Sequence, residues 1–154
     1  MSAKVLVVAH CPTEKTERVR DAVLDGARDD DIEGVEVDLR EPLQVDPDDV
    51  RGADAIVLVT TEHFGSMAGA MKWCFERIYY PCLEDTVGTP YALVVKAGSD
   101  GTGTVRQVEQ ITTGLKWRKV RDPVMVVGPP GDEHLAELRE LGAMVAAGAS
   151  IGAL

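Results

Sequence analysis

The chain of 154 residues has the length of one ordinary domain, and an apolar share of 45% suits a packed core. Its formal net charge of −10 argues against nucleic acid, whose phosphates attract basic surfaces, and no apolar run approaches a membrane span. Three cysteines without a CxxC and three histidines without ligand spacing suggest neither a disulfide framework nor a metal site.

Residues 1–9 are apolar after Lys4 but too short for a signal peptide, so the expectation is a soluble cytoplasmic protein in one domain, residues 1–154, with no membrane association. Lys4–Ala9 (KVLVVA) is a near-continuous apolar run, as expected for a strand buried on both faces. A helix follows from about Thr13 to Ala27, with Val19, Val23 and Ala27 on one face. Val35–Arg40 (VEVDLR) alternates apolar and charged residues, the mark of a strand with one wet face at a sheet edge. Asp46-Pro47-Asp48-Asp49 opens a very short helix.

The third strand is Ala55–Val59, followed by a loop Thr60–Ser66 and a helix from near Met67. That helix places Met67, Met71, Phe75 and Ile78 on a core stripe and is expected to stop at Tyr79-Tyr80-Pro81, because proline disfavours helical geometry in its predecessor. Tyr91–Val95 is the fourth strand, Val105–Thr113 a helix and Val124–Val127 the fifth strand. A last helix buries Leu135, Leu138, Leu141 and Val145. Regular alternation with short loops predicts a three-layer α/β sandwich around a five-stranded parallel sheet. The half-polar second strand favours the order 2-1-3-4-5, with that strand at an edge.

Open parallel sheets bind ligands at the carboxyl ends of their strands. Three loops have that placement: His10–Thr16, Thr60–Ser66 and Ala97–Thr104. The first lacks glycine, so it is not a dinucleotide GxGxxG, and no Walker A pattern occurs. A phospho-acceptor receiver is also excluded, since Ala9-His10 and Val59-Thr60 stand where acids would be needed. In the first loop Thr13, Lys15 and Thr16 flank a helix start, which is either an anion site or an ordinary cap with Glu14 and Glu17 in the first turn.

The segment Cys11-Pro12-Thr13-Glu14-Lys15-Thr16 resembles the flavodoxin phosphate loop [ST]-x-T-G-x-T, departing from it at Cys11 and Glu14. The stretch from Thr60 through Lys72, with Glu62-His63-Phe64-Gly65-Ser66-Met67 at its centre, resembles P-T-R-[FY]-G-x-M-x-[AG]-x-[ML]-[KR]. That is the corresponding loop of the tryptophan-repressor-binding-protein type of NAD(P)H:quinone oxidoreductase, so that within the flavodoxin-like FMN-binding proteins the chain most resembles the branch of NADPH-dependent FMN reductases and these quinone reductases. The segment Ala97–Thr104 is similar to the Gly/Ser-rich segment after strand four of the flavodoxins and of that quinone reductase type. The resemblance implies a flavodoxin-like fold with one FMN held by the three loops. His10, Cys11, Thr13, Lys15 and Thr16 would meet its phosphate side. Thr60, Thr61, His63, Phe64, Gly65, Ser66 and Met67, with Gly98, Ser99 and Gly101, would meet the ring. Phe64 or His63 would cover a ring face, and glycine N–H groups would serve its polar edge.

The resemblance further implies an oxidoreductase in which the flavin carries the redox chemistry and no side chain need be a nucleophile or general base. NAD(P)H would be the electron donor and a quinone or free flavin the acceptor. A non-enzymatic electron carrier and a module that no longer binds FMN are the alternatives. A homodimer or a redox partner protein is the kind of protein contact left open.

Overall fold

A computed structural model describes residues 2–154. Strand β1 (Ala3–Ala9) leads into α1 (Glu14–Ala27), and β2 (Val35–Arg40) into a 3-10 turn at Pro42–Gln44 and α2 (Pro47–Arg51). Next come β3 (Ala55–His63), β4 (Ser66–Met67) and α3 (Gly69–Cys82), then β5 (Pro90–Ala97) and α4 (Thr102–Gly114). The chain closes with β6 (Arg118–Lys119), β7 (Val124–Val127) and α5 (Asp132–Ile151).

The long parallel strands lie in the order β2-β1-β3-β5-β7, the order read from the alternation. Two short strands bring the sheet to seven: β6 pairs with the start of β5, and β4 pairs antiparallel with the end of β3. Strand β2 is the half-wet edge, its residues alternating between half-buried and exposed. The opposite edge, β7, buries Val124 and Val126 towards α5, while Met125 packs on the other face.

Side-chain alternation divides the core into two layers. Val5, Val7, Val57 and Val94 meet α1 and α5, while Leu6, Ile56, Leu58 and Leu93 meet α3 and α4. Helices α1 and α5 touch closely because Gly142 lies against the backbone of Val23 and Ala27. No helix among the described residues is long and apolar enough to cross a membrane.

Several element boundaries differ from the sequence reading: β5 runs two residues past Val95, to Ala97, and α4 begins three residues before Val105, at Thr102. Helix α3 begins at Gly69 and runs through Pro81 to Cys82. The missing N–H of Pro81 falls in the last turn, where it costs one bond, while Ile78 and Cys82 are buried in the core. The Pro81 carbonyl accepts a hydrogen bond from Arg51 Nη2 at 2.7 Å. Strand β3 continues four residues beyond Val59, to His63. Its extension has partners on two sides: Thr60 and Thr61 pair with Val95 and Lys96, and Glu62 and His63 pair with Met67 and Ser66.

Candidate functional site

The carboxyl ends of β1, β3 and β5 carry the three singled-out segments along one rim of the sheet. At the first, Thr13 is the N-cap of α1 in extended geometry and forms a capping box with Thr16. Thr13 N–H donates to Thr16 Oγ1 at 3.0 Å, and Thr16 Oγ1 donates to Thr13 O at 2.8 Å. Both hydroxyls therefore serve the cap. By position, the N–H groups of Glu14 and Lys15 have no partner within the helix. Glu14 is exposed and forms no ion pair among the described residues.

Lys15 has a neighbour that the sequence reading missed. Lys96, next to last in β5, is half-buried and donates to Ala97 O at 3.2 Å. Burial, and after it the charge of Lys15, hold its ammonium below the ordinary lysine range. Two like charges thus act on one another near a helix N-terminus whose dipole is itself positive, with Glu14 and Glu17 in the same first turn. Its signal in the sequence was a lysine at the end of an otherwise apolar strand, on the face of Ala92 and Val94.

His10 continues the ladder, its N–H on Val59 O at 2.9 Å. Its ring meets that of His63 edge to face with centroids 6.1 Å apart, and His63 Nε2 lies 2.8 Å from Thr61 Oγ1. Burial and then His63 hold His10 below the usual histidine range, with Glu41 pulling it the other way. Burial pushes the Cys11 thiol up to about 11, so it is a packing residue rather than a reactive thiolate. A cleft of about 170 Å³ opens beside this group, lined by His10, Cys11, Pro12, Glu41, Leu43 and Ala70. Arg77 steadies its far wall by donating to Pro42 O and Val45 O at 2.7 Å each.

The second segment is a hairpin. Phe64 and Gly65 form its two-residue turn with φ of +54° and +74°, the sign pair of a type I′ turn. A phenylalanine rarely takes this conformation. Its side chain is fully exposed, at 106%. An unfavourable backbone thus holds a large apolar group in solvent at the rim.

The hairpin is tied to α4. A Cβ on Gly103 would overlap the carbonyl oxygen of Gly65, so only glycine permits this approach. Met67 N–H donates to Gln107 Oε1 at 3.0 Å. The Glu62 carboxylate accepts from Gly101 N–H at 3.1 Å and from the fully buried Thr104 hydroxyl at 3.1 Å. Gly101 is the N-cap of α4 and has no side chain of its own, so Glu62 caps that helix from another strand.

The rim therefore gathers His10, Lys15, Thr61, His63, Phe64, Gly65 and Ser66 around β1 and β3, with the exposed Gly98 and Ser99 on the third segment. Besides the Thr13 and Thr16 hydroxyls, which serve the cap, three further expected contacts are turned elsewhere. Thr60 is fully buried with its hydroxyl on Thr61 O, and the Met67 side chain lies in the core, since β3 runs on as regular strand. The Gly101 N–H, expected to serve a ligand edge, is committed to Glu62.

Residues 4–129 match the family of NADPH-dependent FMN reductases. No curated protein matches the chain in sequence. Among solved structures, a flavodoxin from the domain Archaea is similar at 19% identity and a TM-score of 0.79, over 93% of this chain and 96% of that one. A WrbA-like flavodoxin from Agrobacterium tumefaciens is similar at 19% identity and a TM-score of 0.77, over 96% of this chain and 98% of that one. The flavodiiron protein from Giardia intestinalis is similar at 20% identity and a TM-score of 0.80. There 97% of this chain aligns with 36% of the larger one. These likenesses establish the flavodoxin-like fold.

Proposed function

The chain belongs to the NADPH-dependent FMN reductase family, and we propose that it holds FMN at this rim and passes hydride from NAD(P)H to a quinone or a free flavin. The observation that carries the proposal is a pair of lysines without an ion-pair partner at the rim. Lys15 stands in the first turn of α1 beside Glu14 and Glu17, and the half-buried Lys96 stands at the end of β5, where burial and the charge of Lys15 disfavour its ammonium; among the described residues neither lysine forms an ion pair, and a phosphate dianion would supply one. The chemistry of this donor set fits the cofactor's phosphate: two ammonium groups and the free N–H groups of Glu14 and Lys15. Phe64 fits the flat apolar ring, which it can cover by stacking.

Bound FMN would supply the two-electron chemistry. The chain's own groups would hold the phosphate at Lys15 and Lys96, orient the ring between the β3–β4 hairpin and the β5–α4 loop, and exclude water through Phe64. His63, bridged to Thr61 and set against His10, stands where a proton can be held beside the ring.

A second reading is an electron carrier without its own NAD(P)H activity. The full-length match to flavodoxins and the net charge of −10, which can steer a basic partner, favour it. One anaerobic experiment decides. Protein loaded with FMN and given NADPH or NADH should lose its visible flavin absorbance within turnover time, with no helper protein. A bound flavin that neither nucleotide bleaches refutes the reductase and leaves the carrier. Protein that binds no FMN refutes both.

A further inference from the structure

Glu62 stands between the two segments that the proposed function assigns to the ring, and its contacts are long-range in sequence. Its carboxylate bridges Gly101 N–H and the Thr104 hydroxyl, 39 and 42 residues further along the chain. Close by, Asp100 accepts from the Thr102 hydroxyl at 2.8 Å. Two carboxylates thus face the start of α4, where the Arg106 guanidinium also approaches Gly103, while the first turn of α1 holds Lys15 between Glu14 and Glu17. The donor expected to welcome negative charge on the ligand, Gly101 N–H, is already used by a negative group.

Resting on the proposed function, we propose that Glu62 is a positioning residue with an electrostatic role: it pins the hairpin to α4 and sets the bound flavin to be a strong hydride donor. Hydride transfer from NAD(P)H delivers two electrons and one proton and releases NAD(P)⁺. Neutral oxidised flavin therefore gains one negative charge unless a second proton follows from solvent. The Glu62 carboxylate, held at the base of the hairpin that would cover the ring, opposes that charge, since like charges in a partly desolvated site interact more strongly than in water. The oxidised form is then bound more tightly than the reduced form, and hydride is passed on to the acceptor rather than stored.

Anaerobic titration of the wild-type protein with oxidised and with reduced FMN gives the first test. The reduced form is expected to bind at least tenfold more weakly, which for a two-electron couple lowers the midpoint potential by about 30 mV relative to free FMN. Equal or tighter binding of the reduced form overturns the inference while leaving the flavin site intact. A wild-type protein that takes up neither form overturns the inference and the proposed function together. The second test uses Glu62→Gln, whose amide can still accept from Gly101 N–H and donate to Thr104 Oγ1. Its midpoint should rise by about 30 mV or more with FMN still bound. Glu62→Asp, which keeps the charge, should hold a midpoint nearer to wild type than Gln does. If Gln leaves the midpoint unchanged and only Glu62→Ala weakens FMN, Glu62 is a mechanical clamp and its electrostatic role is refuted.

Discussion

Replacing Gly103 with alanine adds one carbon where the α4 backbone meets the hairpin turn. The new Cβ would lie 3.4 Å from the carbonyl carbon of Gly65 and overlap its oxygen. The obstacle is backbone, so no rotamer change relieves it. The turn would have to retreat by about 1 Å, against the overpacking costs of about 1–3 kcal/mol seen in tight sites. Its retreat is resisted by Met67 N–H on Gln107 and by the Glu62 bridge. Alanine returns up to about 1 kcal/mol through helix propensity. The net expectation is a loss of about 1–2 kcal/mol, or about 2–8 °C in melting temperature for a chain of this size. FMN affinity should fall about tenfold, because Phe64 moves with the turn. Thermal denaturation followed by circular dichroism reads the first effect, and quenching of FMN fluorescence reads the second. Gly142→Ala is the control. Its Cβ would crowd Ala27 N at 2.9 Å, between α1 and α5 and away from the rim. It should cost stability without weakening FMN at temperatures where the protein is folded. A Gly103→Ala protein with wild-type affinity would show that the turn's position against α4 does not matter to the flavin, and the two-walled site would be abandoned.

Single residues give the other expectations. Phe64→Asn suits the positive φ better and should raise stability by about 1 kcal/mol while lowering FMN affinity, as measured by denaturant titration and fluorescence quenching. A loss of stability instead would mean that the exposed ring contributes to the fold. Lys96→Gln should weaken FMN more than tenfold and leave riboflavin unchanged, because only FMN carries the phosphate. In the wild-type protein FMN binding should take up a proton at alkaline pH, since phosphate restores the ammonium that burial and Lys15 disfavour. Affinity for FMN should then fall as pH rises towards the ordinary lysine range, with riboflavin affinity flat. For His10 the folded state holds its proton less readily than the unfolded chain. Between its lowered value and the ordinary 6.5 the unfolded state binds more protons, so stability falls as pH drops through that window. His10→Gln should flatten this part of a stability–pH curve measured by urea denaturation, and an unaltered curve would refute the assignment.

The strand order was legible because its determinants are local. VEVDLR shows its wet face in the residues themselves, and the apolar runs at Lys4–Ala9 and Ala55–Val59 declare strands buried on both sides. The end of β3 was not legible. Thr60-Thr61-Glu62-His63 is polar and reads as a loop, and it becomes strand only because β5 and β4 supply partners from elsewhere in the chain. The same long-range pairing hid the roles of Glu62 and Lys96. Each is a charged residue at a strand end whose significance lies in a group far away in sequence: Gly101 and Thr104 for one, Lys15 for the other. Proline at position 81 misled for the opposite reason, since its local penalty is real but falls in the final turn.

The hydrogen bonding of the rim also constrains the direction in which a ligand can lie. The start of α1 holds Glu14 and Glu17 together with Lys15, and Lys15 and Lys96 form no ion pair among the described residues, whereas at the start of α4, with Arg106 nearby, the carboxylates of Glu62 and Asp100 already accept hydrogen bonds. A ligand with a dianion at one end and a flat, weakly polar ring at the other is accepted in one orientation and opposed in the reverse one. In the reverse orientation, a phosphate would face two carboxylates while both lysines lost their partner. Exchanging the charges, with Lys96→Glu and Glu62→Lys in one protein, should therefore abolish FMN binding rather than invert it. The Gly103 contact and the Phe64-Gly65 turn shape only the α4 end for a ring. Retention of FMN by that double variant would show that shape alone orients the ligand and that the division of charge along the rim is incidental.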